Sequence, residues 1–465
     1  MSITFPSSRS RWTAALLLGL ACAVQSAVIG VNAPVVPLTP ERLGELESAD
    51  LRRAWGQYLE HSAQQRAADK AALAAERAGS AATPAGPDGG NSEKSMPLNQ
   101  PAAWYGSAQA LLVANNIVSF QTPAGGWGKN QPRDRPVRLP GQDYVANSNS
   151  KHPTPGDFDQ AMEPHWSYVG TIDNDATVTE IRFLAKVAAQ LPPEQAAAFR
   201  QSLLKGLSYL FSAQFPNGAW PQVWPLQGGY HDAITLNDNA MVAVAELMGA
   251  VARGEQGFHG LPQRVQEQAA LAERRAIESL LATQVSAHGR KLLWAQQYDA
   301  LSLAPVSARN YEPAALSSAE SAQVLIYLMS LPQPSPAVVQ AVEAGIAALR
   351  AIAIEGMVWG KVDEAQGRRL RPRAGAAQLW ARYYDIQTLK PVFGDRDKSL
   401  HDDVDDISLE RRNGYAWYGT GPAKALAAYA EWLKSCCAPP QAQQSHDIRR
   451  SDGRLQQAAS DRADP

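Results

Sequence analysis

Cysteine is scarce in this chain of 465 residues, with three in all. Cys22 sits in an apolar N-terminal run, and Cys436 and Cys437 are adjacent, where a bridge between them would be strained. No disulfide framework or cysteine-based metal site is available once the leader is removed. A large excess of charge of one sign is missing too. Forty-three basic residues against 45 acidic ones leave a net charge of -2, so no global field draws nucleic acid or another polyanion. An acidic ligand would have to be caught by a local basic cluster. Long hydrophobic runs are absent, and the one apolar stretch, Thr13 to Val24, is too short to span a bilayer. Strand-like alternation is also sparse.

What is present begins with a leader. Arg9 and Arg11 precede the apolar stretch, and Ser26-Ala27 offers small residues for cleavage, which predicts a secretory signal over residues 1–27. Lipoprotein processing at Cys22 competes with this, although Leu18-Gly19-Leu20-Ala21 fits that pattern only loosely. The expected product is a soluble, secreted monomer, extracellular or periplasmic, with no stable membrane insertion. Residues 28–79 read as a helical segment with Leu43, Leu46, Leu51, Trp55, Tyr58 and Leu59 on a rough stripe. Residues 80–97 are a Pro/Gly/Ser-rich linker by composition, and 438–465 a polar, disordered tail. The working domain is thus expected over 98–437.

Helical periodicity dominates that domain. Ala176–Ala189 carries a stripe of Val178, Ile181, Leu184 and Ala188, with Thr177 and Glu180 spaced as a capping box. Ala196–Ala213, Ala240–Arg253, Gln263–Gln284, Ser317–Met329, Pro336–Glu355 and Ala423–Lys434 read similarly. Helices joined by long polar loops predict an all-α barrel or toroid whose loops build a cleft.

Chemistry concentrates in those loops. T-I-D-N-D-A-T (171–177) and T-L-N-D-N-A-M (235–241) each stand before a helical pattern. Asp173 and Asp238 are then either helix N-caps or oxygen ligands of the kind calcium takes. G-G-W-G-K-N (125–130) and F-P-N-G-A-W-P-Q (215–222) present tryptophans that serve as buried anchors or as sugar platforms. Lys129 could meet a carboxylate. Arg309, in A-R-N-Y-E-P, is either an ordinary loop arginine paired with Glu312 or a member of a site. Between Trp380 and Gly419, Arg382, Arg396, Arg411 and Arg412 mix with aromatics. Planar guanidiniums hold carboxylates through two parallel hydrogen bonds, so this stretch suits an acidic polysaccharide.

Taken in order, these motifs resemble family 10 pectate lyases over roughly residues 100 to 434. Each motif alone is weak, whereas the combination is specific. The resemblance implies an (α/α) toroid that cleaves polygalacturonate, or de-esterified pectin, by calcium-assisted β-elimination. It places the Brønsted base on Arg309, with Arg396 as the fallback, and puts Asp173 and Asp238 near Ca2+. Lys129, Asn174, Tyr311, Arg382, Arg396, Arg411, Arg412 and Tyr415 become the substrate-binding candidates. Two positions depart from the family pattern, Asp175 and Lys398, where glycine is more usual.

Two other functions compete. A glycoside hydrolase would use paired carboxylates from Asp173, Asp238 or Glu312, without needing so many arginines. A noncatalytic pectin-binding protein would keep the aromatic cleft and dispense with Arg309 and the aspartate motifs.

Overall fold

The computed structural model describes residues 28–79, 82–146, 156–158, 162–163 and 165–436. The leader, Cys22 and the tail lie outside the described residues. Helices dominate: α1 (Ala49–Ala78), α2 (Ser92–Ser95), α3 (Ala108–Ser119), α4 (Val178–Ala188), α5 (Pro193–Ala213), α6 (Ala240–Arg253), α7 (Gln263–Thr283), α8 (Ser318–Ser330), α9 (Pro336–Ala351), α10 (Leu409–Gly414) and α11 (Pro422–Cys436). The expected helical patterns fall on α4 to α9 and α11 within a few residues.

Composition sorts these helices into two layers. α6 is apolar nearly all round and buries Ala240 to Ala245 and Leu247 to Val251, as a helix enclosed on every side must. α4 and α8 are similarly enclosed. α7 is charged and buries one stripe, Ala269, Ala272, Ala276, Ser279, Leu280 and Thr283. α5 and α9 are striped in the same way. The hairpins α4–α5, α6–α7 and α8–α9 each pair an enclosed helix with a striped one, and α4, α6, α8 and α11 touch in succession.

A local device recurs along this stack. After α3, α5 and α7 stand Gln121, Gln214 and Gln284. Each amide nitrogen donates to the following turn (Gly125, Gly218 and Leu292 carbonyls, 2.8, 2.9 and 3.0 Å). It also donates to the next striped helix (Ser202, Ala272 and Ala341 carbonyls, 2.9, 3.0 and 2.9 Å). Gly125 and Gly218 have φ of +112° and +91°, and a Cβ there would lie 2.6 and 2.3 Å from backbone oxygens of α5 and α7. Only glycine fits that approach. A buried tryptophan follows, and its indole N–H donates back into the preceding helix. Trp127 reaches Ile117 at 2.7 Å, Trp220 reaches Leu210 at 2.8 Å, Trp294 reaches Leu280 at 2.7 Å and Trp380 reaches Leu349 at 2.9 Å. These carbonyls near helix C-termini would otherwise lack full partners. All four indoles are fully buried, so they are anchors and not sugar platforms.

The strands entering the enclosed helices follow the same rhythm. Backbone N–H groups of Thr171, Thr235 and Ser317 donate to the carbonyls of Trp127, Trp220 and Trp294 at 3.0, 3.2 and 2.7 Å. Short antiparallel pairs result, Gly170–Thr171 with Val223–Trp224, Ile234–Thr235 with Gln297–Tyr298, and Leu316–Ser317 with Tyr383–Tyr384. One longer hairpin, Met357–Lys361 with Arg368–Pro372, was not read from the sequence.

The N-terminal region is docked onto this body. α1 buries Trp55 and Tyr58 against Phe215, and the Tyr58 hydroxyl donates to the Ala213 carbonyl at 3.1 Å. Residues 82–97, a linker by composition, also lie against it. Met96 is 1% exposed, the Gly90 N–H donates to Asn130 O at 2.6 Å, and Ser95 Oγ accepts from Arg133 N at 2.8 Å.

Candidate functional site

The loops entering α4 and α6 turn sharply because their residues tolerate left-handed backbone. Asn174 and Asp175 have φ of 51° and 57°, Asp238 and Asn239 of 48° and 65°. Asn and Asp adopt this region more readily than most side chains. Neither aspartate caps a helix, since no side-chain cap bond forms at the start of α4 or α6. The expected Thr177–Glu180 capping box is also absent. Thr177 Oγ1 donates to the Thr171 carbonyl and accepts from the Trp127 N–H, while Glu180 pairs with the fully buried Arg133 at 2.8 Å.

These loops open onto a cavity of about 420 Å³. Lys129, Asp173, Asn174, Asp238, Arg309, Tyr311 and Arg396 all line it. Lys129 Nζ forms a short ion pair with Asp173 Oδ2. Asp173 Oδ1 is buried without a hydrogen-bond partner. Burial and the neighbouring Asp173 charge push the Asp238 carboxyl above its ordinary value.

Arg309 grips Glu312 with its fork, Nε to Oε2 at 2.9 Å and Nη2 to Oε1 at 2.6 Å. Glu312 is 1% exposed and accepts a further bond from the Tyr415 hydroxyl at 2.7 Å. Burial alone would raise the Glu312 carboxyl, but the Arg309 charge and these bonds bring it down to about 2. Burial works against the Arg309 charge, yet Glu312 outweighs it and holds the guanidinium above its ordinary pKa. From Tyr415 the chain of hydroxyls continues to Tyr383 at 2.7 Å and then to Gln296.

Four residues expected to bind substrate lie behind the cavity wall. Arg382 is 13% exposed at its side chain, bridges Glu320 (2.8 Å) and Asn237 (3.0 Å), and packs 4.9 Å from the Tyr415 ring. Tyr415 is committed to Glu312. Arg411 is buried against Glu410 and lies 4.6 Å over the Tyr311 ring, supporting it from behind. Arg412 departs furthest, because it faces the other side of α10 and holds Asp405 (2.9 Å) and the Gln366 carbonyl (3.0 Å). Periodicity on a six-residue helix does not reveal which of two adjacent arginines faces the cleft.

The cavity also holds residues missed by sequence reasoning. His231 stacks on Tyr230 at 3.9 Å and meets Trp166 edge-on at 4.6 Å. Burial and then the Lys129 charge lower its pKa to about 3, so it stands neutral. Gln222 and Gln296 line the floor. Their signal was available, because both lie two residues after a repeat tryptophan, as do Lys129 and Arg382.

A polar cavity that mixes two guanidiniums, an ammonium and the carboxylates of Asp173, Asp238 and Glu312 has the chemistry to hold an anionic ligand. Residues 121–426 match the family described as pectic acid lyase. Two solved structures of a family 10 polysaccharide lyase from Cellvibrio cellulosa are similar. One is an aspartate-to-alanine mutant in complex with trigalacturonic acid. Each shares 29% identity at a TM-score of 0.60, covering 73% of this chain and 98% of theirs. No curated protein matches. The chain belongs to the pectic acid lyase family and is a polysaccharide lyase, an enzyme of the pectate lyase class.

Proposed function

We propose that this enzyme is a secreted, monomeric pectate lyase that cleaves polygalacturonate by calcium-assisted β-elimination, releasing unsaturated oligogalacturonides. The observation that carries this reading is the meeting of Arg309, Arg396, Lys129, Asp173 and Asp238 in one cavity. The solved relative complexed with trigalacturonic acid supports the same substrate class. The two helical layers are read as an (α/α) toroid, with 98–437 as the catalytic unit and 1–27 as a cleaved leader. Among the described residues, no helix is long and apolar enough to cross a membrane.

In the reaction the C5–H bond breaks, the C4–C5 double bond forms and the C4–O bond breaks, with a proton going to the leaving oxygen. Charge builds on the substrate carboxylate attached to C5, so cationic groups must face it. Arg396 and Lys129 serve there. Arg309 is the assigned base, with Arg396 the fallback. Glu312 orients the Arg309 fork and also opposes its deprotonation, so turnover should rise toward alkaline pH.

The residues present fit calcium as a partial site. Asp173 offers a buried oxygen without a partner, and Asp238 lies close enough for their charges to couple. Among the described residues no group of three or more His, Cys, Asp or Glu could hold a metal, so substrate carboxylates would supply further oxygens. Bound there, the ion would neutralise charge on the substrate carboxylate. Ultraviolet absorbance of products from polygalacturonate, with and without a chelator, tests the reading. Unsaturated products whose formation stops in chelator are expected, and undiminished turnover would remove calcium. Highly methylated pectin should be the poorer substrate, since esters lack the recognised charge.

A further inference from the structure

The segment before α1 lies outside the residues that match the family, yet it reaches the site. Gly30 and Val31 pair antiparallel with Leu400 and Ser399, adding a strand to the hairpin whose turn carries Arg396. The Asn32 N–H continues the ladder to the Lys398 carbonyl at 2.7 Å. Asn32 is itself 6% exposed. Its amide nitrogen lies 3.3, 3.1 and 3.1 Å from the carbonyl oxygens of Arg309, Asn310 and Glu312. Two amide hydrogens thus serve three acceptors in the turn that carries Arg309.

We propose that Asn32 is a positioning residue for the reaction, clamping the Arg309–Glu312 turn to the Arg396 hairpin. Resting on the functional reading above, this places a residue from the far N-terminal segment behind the guanidinium assigned as base. Asn310 adds the second half of the clamp, donating to the Arg396 carbonyl at 3.0 Å and to Asp157 Oδ1 at 2.7 Å. The segment is tethered independently by Arg42, which grips Asp299 at 2.7 and 3.1 Å. Inside the clamp the Arg309 fork and its Glu312 partner keep one geometry. A displacement of about 1 Å at such a group can cost on the order of a hundredfold in rate.

The test uses the full chain carrying Asn32→Ala or Asn32→Asp, which set a void or an acceptor against those carbonyls. The expected result is a kcat on polygalacturonate lowered about tenfold or more with KM within about threefold, because orientation and not affinity is lost. Amide hydrogen exchange should quicken at 309–312 and 398–400. Arg42→Ala loosens the same segment elsewhere and should lower Tm while leaving kcat near wild type. Near-native kcat in both Asn32 variants, or an equal loss in Arg42→Ala, overturns the proposal. So does unchanged exchange at 309–312, which is readable even without turnover. A wild type that does not cleave polygalacturonate sinks the functional reading instead. If Asn32→Asp does not fold, Asn32→Ala decides, since it adds no charge.

Discussion

Replacing Glu312 by Gln tests the link between site geometry and pH most directly. The native carboxylate accepts from Arg309 Nε and Nη2, the Arg309 N–H and the Tyr415 hydroxyl. Its pKa falls from 4.5 to about 2, which at ~1.4 kcal/mol per pH unit corresponds to about 3 kcal/mol. The Arg309 side chain is 37% exposed, and water screens part of that, leaving about 1–2 kcal/mol. The folded state favours the ionised carboxyl. Its contribution is therefore complete above pH 4.5 and is lost as pH falls toward 2. Thermal unfolding across this range should show a Tm gap between wild type and Glu312→Gln that is constant near neutrality and closes in acid. Kinetics supplies the second reading. Without the Glu312 charge the Arg309 pKa drops, so the alkaline rise in kcat should move to lower pH, while its plateau falls roughly tenfold as the fork loses its partner. A pH-independent Tm gap together with an unmoved kcat profile would refute the reasoning.

Asp173→Asn and Asp238→Asn should each abolish most calcium-stimulated turnover while shifting Tm by only a few degrees, because neither aspartate caps a helix; full activity in either variant would remove it from the metal site. Arg309→Lys should bind polygalacturonate yet lose most turnover, whereas Arg396→Lys, exposed at the rim, should mainly raise KM. The reverse pattern moves the base to Arg396. His231, its pKa lowered to about 3, should keep a neutral ring from pH 5 to 8 by NMR. Because the unfolded state binds this proton more readily, the group should destabilise the fold as pH drops from 6.5 toward 3. A ring titrating near 6.5 would show that it is not enclosed.

Much of the scaffold was legible because it rests on local period. α6 and α7 differ in sequence as an enclosed and a striped helix must, and both were read within a residue or so. The capping box at Thr177 and Glu180 misled for a physical reason: each side chain found a stronger long-range partner, Thr177 in the Trp127 and Thr171 backbone and Glu180 in buried Arg133. Arg309 and Glu312 were paired from proximity in sequence, and the structure has that pair. His231 was passed over because a lone histidine in a loop carries no period, and its place follows from Tyr230 and Trp166, which come from different loops. Arg412 and Arg411 differ only in the side of α10 they occupy, a distinction that three-dimensional packing alone decides.

The recurring tryptophan has a consequence for how the site could be altered. Lys129, Gln222, Gln296 and Arg382 hold one ordinal position, two residues after an indole sealed in the core. At 127, 220 and 294 the indole does the packing and the residue two places on lines the cavity. A cation, two amides and a second cation therefore share one placement, three of them lining the cavity and Arg382 committed behind its wall to Glu320 and Asn237. A substitution at 129, 222 or 296 would recast the polarity that faces a ligand while the indoles go on holding the frame.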